Sequence, residues 1–283
     1  MMDLGKVGVW SMELRFGDKA QAARGAAEIE DLGYGAIWVP GGIGGDVTGD
    51  LDHLLAATSR VVIATGILNI WKHEPADIAA WFNALPDNHK GRVMLGLGVS
   101  HGPLIGENWN RPVAKMAAWL DAFEAAGMPL AQTCLAALGP KMLELAGQRT
   151  AGAHPYLVAP SHSAEARAIM GPGKLVAPEQ GVVLDSDPAS ARAKAVEALT
   201  HYARLPNYVN SWKRLGFTDA DIETESDALL GGIFAMGDAE AITARVREHH
   251  DAGADHVCVQ TITGGAGLMQ SLADLRVLAQ ALL

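Results

Sequence analysis

Short runs of apolar residues recur along the chain at 7–10, 36–40, 61–67, 93–99, 133–138, 153–158, 180–184 and 256–262. Most are continuous rather than alternating, the pattern of strands buried on both faces. Between them the pattern changes to the wider spacing of amphipathic helices. "DKAQAARGAAEIEDLG" predicts a helix with Asp18 as N-cap and Gly33 just past its end, and "DAEAITARVREHHDAG" repeats the arrangement with Asp238 and Gly253. Alternating strands and helices predict a parallel sheet covered by helices. Eight repeats at this length favour a single (β/α)8 TIM barrel, with an open doubly wound sheet as the competing architecture. The region 202–234 is polar and aromatic without a strand of its own, so it reads as a helical insertion between the seventh and eighth strands. No linker or low-complexity tract interrupts the chain, and residues 1–283 read as one domain.

Composition narrows the functions this architecture could serve. With 49% hydrophobic residues, the 283-residue chain can bury a sizeable core, and its net charge of −10 opposes a general affinity for nucleic acid or anionic membrane. An anionic ligand therefore needs a local site. Cys134 and Cys258 lie far apart in apolar runs and belong to no metal-ligand pattern, which fits a reducing cytoplasm. No basic leader precedes the first apolar run, and no run approaches the ~18 residues of a membrane span. The expectation is a soluble, cytoplasmic protein.

In a barrel, chemistry belongs to the carboxyl ends of the strands. Two stretches there carry candidate chemistry. In "GRVMLGLGVSHG" (91–102), His101 follows a strand, and Gly96, Gly98 and Gly102 either let a ligand approach the backbone or simply relieve crowding. His101 titrates near neutral pH, as a proton handler should, although a local hydrogen bond would also explain it. In "LAALGPKMLELAG" (135–147), a strand ends at Leu138, Gly139 turns the chain and Pro140 opens a helix beside Lys141. Free N–H groups at that helix start suit a phosphate, while an ordinary loop-to-helix junction is the competing reading.

Further candidates are weaker. His154 and Tyr156 share one strand face, and His162 either contacts substrate or begins a helix. Glu179 and Gln180 either present a carboxylate and an amide at the mouth or flank a strand. Trp38, Trp71 and Trp109 could stack on a flat ring or serve packing. "HEP" (73–75) and "EHH" (248–250) lack the spacing of a metalloprotease pair, so no metal site is indicated.

Four stretches together resemble the luciferase-like flavin and deazaflavin oxidoreductases, particularly an actinobacterial branch thought to use coenzyme F-420. They are "ATGILNIWKHEPADIAA" (64–80), "GRVMLGLGVSHGP" (91–103), "LAALGPKMLELAG" with "GAHPYLVAPSH" (152–162), and "LPNYVNSWKRLGF" (205–217) followed by "AGADHVCVQ" (252–260). The resemblance implies a (β/α)8 barrel with the cofactor ring in its mouth. It implies a non-proline cis peptide after the third strand, at Thr65–Gly66 or at Asn69–Ile70, backing the ring, with Gly98 beside it. Ala137, Leu138, Gly139, Pro140 and Lys141 would contact the cofactor's phosphate and side chain. His101 would be an acid/base or substrate-contacting residue. If His101 proves structural, the residues themselves leave His154 and Glu179 as the next candidates for the proton. The stretch "VPGGIGGDVTGD" (39–50) departs from deazaflavin-dependent relatives, because Gly41 and Gly42 stand where an acidic residue or histidine contacts the ring.

The resulting expectation is an F-420-dependent oxidoreductase that transfers a hydride to or from a small organic substrate, acting as a homodimer. One alternative is an FMN-dependent monooxygenase supplied by a separate cofactor reductase. The short chain leaves less lid to protect a peroxyflavin from water, which favours hydride transfer. A non-catalytic flavin-binding barrel is the alternative from another class. A metal-dependent hydrolase would need a His/Asp cluster that cannot be assembled from the sequence.

Overall fold

All eight apolar runs contribute strands. In chain order the strands are β1 (Val7–Trp10), β2 (Ala36–Gly41), β3 (Val62–Asn69), β4 (Val93–Gly98), β5 (Thr133–Leu135), β6 (Gly152–Ala153), β7 (Leu175–Val176), β8 (Glu179–Leu184), β9 (Ala235–Gly237) and β10 (Val257–Thr261). The structure is a computed structural model that describes residues 2–42 and 44–283, without the side chain of Asn108. The strands form one parallel sheet in the order β7-β6-β5-β4-β3-β2-β1-β10-β8-β9. Strands β7 and β9 were not expected from the sequence; two or three residues are too few to show a hydrophobic period.

The sheet curls until one length of chain serves both sides of it. Strands β7 and β8 are separated only by Ala177 and Pro178. The Ala177 N–H donates to Ala153 O (2.9 Å) and the Glu179 N–H to Pro155 O (2.8 Å), while Cys258 N–H donates to Pro178 O (2.9 Å) from β10. Pro178 has no N–H to give, so the ladder is interrupted there. The range 202–234 holds the helices Pro206–Arg214, Asp219–Glu223 and Asp227–Ile233, and β9 follows it.

The strand period sorts side chains onto two faces. Ile37, Val39, Ile63, Val93, Leu95, Leu97, Val257 and Val259 pack against the helices in the larger core. Trp10, Trp38, Ala64, Met94, Cys134 and Cys258 fill the inside of the curl. A third cluster, including Trp212 and Phe234, lies among the helices after β8. The helix caps agree with the sequence: Asp18 accepts from Gln21 N–H, Asp238 from Ala241 N–H, and Gly33 and Gly253 each take φ +100° past a helix end.

The register of β3 against its neighbours shifts between Thr65 and Leu68, and the two β4 glycines make room for it. A Cβ on Gly96 would stand 2.1 Å from the Thr65 carbonyl oxygen, and one on Gly98 would meet the Ile67 side chain at 2.5 Å. Crowding from β3 therefore accounts for Gly96. Gly98 meets the same crowding and also borders the cavity described below. Among the described residues, no helix is long and apolar enough to cross a membrane.

Candidate functional site

The carboxyl ends of the strands open onto a cavity of about 930 Å³. It is bordered by the ends of β1 and β2, the bent part of β3, the turns after β4, β5 and β6, and residues 201–208 beyond β8. Of the residues expected at a site, Gly66, Asn69, Gly98, His101, Ala137, Leu138, Gly139, Pro140, Lys141 and His154 border it. Thr65 and Glu179 do not.

The turn after β4 is held by two indoles. The Val99 carbonyl accepts from the indole N–H groups of both Trp71 (2.7 Å) and Trp109 (3.2 Å), and Ser100 takes φ +57°. This delivers His101 to the cavity wall, where its Nδ1 lies 2.9 Å from Asn207 Oδ1. A carboxamide oxygen only accepts, so Nδ1 carries the proton and Nε2 keeps its lone pair. Burial lowers the His101 pKa, an effect the Asn207 bond partly offsets. The ring is thus neutral at pH 7, beside the Tyr208 ring at 5.4 Å.

The floor is built on His154. Its Nδ1 meets the Ala177 carbonyl at 2.7 Å, which also fixes a tautomer, and its buried Nε2 has no partner. Burial pulls its pKa down to about 4. The ring stacks on Trp38, with centroids 4.1 Å apart, and Trp38 Nε1 donates to His256 Nε2 (3.1 Å). Gly66 lies above: a Cβ there would stand 2.5 Å from Trp10 Nε1 and 2.8 Å from His154 Nε2. Only glycine fits. The cis peptide is Gly66–Ile67, a correction to both expected positions, Thr65–Gly66 and Asn69–Ile70. The Thr65 hydroxyl is spent behind the wall on Gly96 O (2.8 Å), whereas Asn69 Oδ1 accepts from Trp71 N–H (3.0 Å).

The turn after β5 supplies the cationic end. Gly139 is the N-cap of the helix Pro140–Arg149 without a side-chain cap, Pro140 is its first residue and Lys141 is exposed beside it. The Leu138 carbonyl accepts from His162 Nε2 (3.1 Å) and from Arg214. His162 thus braces the turn from the helix Pro160–Met170 and does not border the cavity. Arg214, 76 residues away, was not assigned from the sequence because nothing local shows that it reaches this turn.

Glu179 sits behind the wall. Its Oε2 accepts from Leu157 N–H (3.0 Å), Oε1 has no partner, and burial pushes its pKa up to about 8. Gln180 is also structural here: it accepts from His249 Nε2 (3.0 Å) and donates to the Gly181 and Ile233 carbonyls. Trp10, Tyr202, Asn207 and Tyr208 border the cavity but were not singled out from the sequence. For the last three, the only available signal was their clustering with Trp212 in "YARLPNYVNSW". Among the described residues, no group of three or more His, Cys, Asp and Glu could hold a metal ion.

The model of the family described as luciferase-like monooxygenase matches residues 2–131, in agreement with the resemblance read from the sequence. Solved structures match nearly the whole chain. An F-420-dependent secondary alcohol dehydrogenase, solved with an F-420–acetone adduct, is 18% identical with a TM-score of 0.74, covering 98% of this chain and 99% of that one. The coenzyme F-420-dependent tetrahydromethanopterin reductase of Methanopyrus kandleri is 16% identical with a TM-score of 0.70, covering 98% and 97%. The oxygenating constituent of 3,6-diketocamphane monooxygenase from Pseudomonas putida, in complex with FMN, is 12% identical with a TM-score of 0.70, again covering 98% and 97%. At these identities the likeness is one of fold.

Proposed function

From the premise that residues 2–131 carry the luciferase-like monooxygenase signature and that the whole chain folds like F-420-dependent and FMN-binding enzymes, we propose an F-420-dependent oxidoreductase. It transfers a hydride between the deazaflavin and a small organic substrate. In this reading the curled sheet is a (β/α)8 barrel joined through the β7–β8 length of chain, with 202–234 as its insertion. The observation that carries the proposal is the pairing of two features in one cavity: an uncapped helix start beside Lys141, and the buried, unpartnered His154 Nε2 under Gly66.

The two features fit the two ends of such a cofactor. The Gly139–Lys141 helix start offers N–H groups and a cation to a phosphate. Gly66, Ile67 and Gly98 form a smooth wall against which a flat ring can lie, with His154 buried behind Gly66. When bound, the cofactor supplies the hydride chemistry. The chain's own residues position, exclude water and manage the accompanying proton. Neutral His101, held by Asn207 with Nε2 unprotonated, accepts a proton from a substrate hydroxyl and returns it in the reverse direction.

FMN presents a phosphate and a flat ring as well, so an FMN-dependent monooxygenase fed by a separate reductase is the second reading. It is favoured by the likeness to the FMN-bound oxygenating constituent. Side-by-side titration of the purified protein with F-420 and FMN decides between them. Tighter F-420 binding supports the deazaflavin reading, and equal or reversed affinities overturn it. We place the protein in the cytoplasm as a homodimer, to be checked by sedimentation.

A further inference from the structure

One stretch of the cavity wall is made of aromatic rings from three separate parts of the chain. Trp10 ends β1, Tyr156 follows β6, and Tyr202 and Tyr208 flank the start of the helix Pro206–Arg214. The Tyr156 centroid lies 5.7 Å from Trp10 and 5.5 Å from Tyr202, and Tyr202 meets Tyr208 edge-on at 5.1 Å. The Tyr156 hydroxyl donates to Gln260 Oε1 (2.9 Å). Burial raises the pKa of all three phenols, so the wall is uncharged at neutral pH. Among the described residues, Lys141 is the only one with a permanent charge bordering the cavity, and it belongs to the anion-binding turn.

We propose that this ring wall is the substrate-binding face, that it takes an uncharged aromatic or alicyclic molecule, and that Glu179 is the positioning residue that sets its shape. The inference rests on the oxidoreductase reading only in leaving this part of the cavity to the substrate. Flat rings recognise flat or cyclic apolar surface through offset and edge-on contacts. A carboxylate here would lose its hydration without meeting an arginine. An ammonium would gain attraction to ring faces, which does not offset dehydration without a carboxylate partner. The three phenols and the indole thus select against either charge.

The shape of the wall depends on Leu157, a buried residue at φ +53°, in the left-handed region that side chains with a Cβ avoid. Both of its backbone polar groups are held. Its N–H donates to Glu179 Oε2 (3.0 Å) and its carbonyl accepts from Trp212 Nε1 (3.0 Å). The first of these bonds orients the peptide that joins Leu157 to Tyr156, and so aims the Tyr156 ring. Glu179 does not border the cavity and acts through that peptide. What the Leu157 N–H needs is a carbonyl-type oxygen, which a carboxamide retains.

The test uses the purified protein without added cofactor and three probes of one shape: benzyl alcohol, benzoate and benzylammonium. Binding is followed by ligand-observed NMR and by quenching of intrinsic fluorescence. Benzyl alcohol should bind tightest, and Tyr208→Ala and Tyr156→Ala should each weaken it by about 10-fold through lost ring contact. Glu179→Gln should stay within about twofold of the parent, while Glu179→Ala should fall as far as Tyr156→Ala; this rescue distinguishes positioning from a general loss of fold. Tighter binding of either ion, no binding of any probe, or indifference to Tyr208→Ala overturns the proposal. F-420 and FMN titrated into the same samples separate the two readings. Cofactor binding without probe binding sinks the ring wall alone, and the converse sinks the oxidoreductase reading alone.

Discussion

Asn207→Asp replaces the partner of His101 with a carboxylate of the same shape. In the parent, burial holds the His101 pKa below its ordinary value of 6.5 and the Asn207 bond opposes this. The substitution puts a negative charge on the oxygen 2.9 Å from Nδ1. For charge centres about 4 Å apart in surroundings of effective dielectric about 20, the attraction is about 4 kcal/mol, equivalent to about three pH units. Burying the new carboxylate consumes part of this, so the His101 pKa should rise by about 1–3. The sign follows directly. A higher pKa leaves more of the ring protonated at a given pH, and the Nε2 lone pair then disappears at a higher pH than before. NMR titration of the protein labelled with 13C in its histidine rings reads the pKa, and the pH profile of kcat/KM reads its use. The acid limb of activity should move upward with the NMR pKa. An unmoved His101 titration refutes the geometry, and a moved titration with a stationary limb refutes His101 as the proton handler.

Four buried histidines make the fold sensitive to acid. His154, His162 and His256 are depressed to about 4 and His249 to about 3, chiefly by burial, while the unfolded chain protonates near 6.5. Stability should therefore fall as pH drops from 6.5 toward 4, by about 2 kcal/mol per histidine at pH 5; a flat Tm between pH 7 and 5 contradicts this. Lys141→Ala should weaken cofactor binding by about 0.5–1.5 kcal/mol and flatten its salt dependence, read by titration at low and high salt; an unchanged affinity places the phosphate elsewhere. Glu30 accepts from the backbone N–H groups of Ser59, Arg60 and Val61 just before β3. Glu30→Ala should cost about 2–4 kcal/mol in denaturant unfolding, and a loss under ~1 kcal/mol would mean that water replaces the carboxylate.

The longer strands were legible because a strand buried on both faces needs apolar residues at every position, and the caps because Asp18 and Asp238 do their work within three residues. The turn from Leu138 to Lys141 was legible for the same local reason. Residues whose roles depend on the curl were not. Arg214 reaches Leu138, and Tyr202 meets Tyr156, only after the sheet has brought distant loops together. Glu179 was expected either to present a carboxylate at the mouth or to flank a strand, and it begins β8 behind the wall. Its place behind Leu157 depends on a left-handed residue, and nothing in "AHPYLV" announces one. The cis bond falls one residue beyond Thr65–Gly66, a displacement too small for motif spacing to resolve.

A carbonyl oxygen has two lone pairs, and at two places around the cavity both are already engaged. Val99 O is bound by Trp71 and Trp109, and Leu138 O by His162 and Arg214. Turns that would ordinarily offer main-chain acceptors to any N–H or O–H are thereby silenced toward a guest. A guest's donors are left to side chains with fixed positions, such as His101 Nε2 in the wall. The binders that restrain the turns thus also restrict how a guest can be oriented.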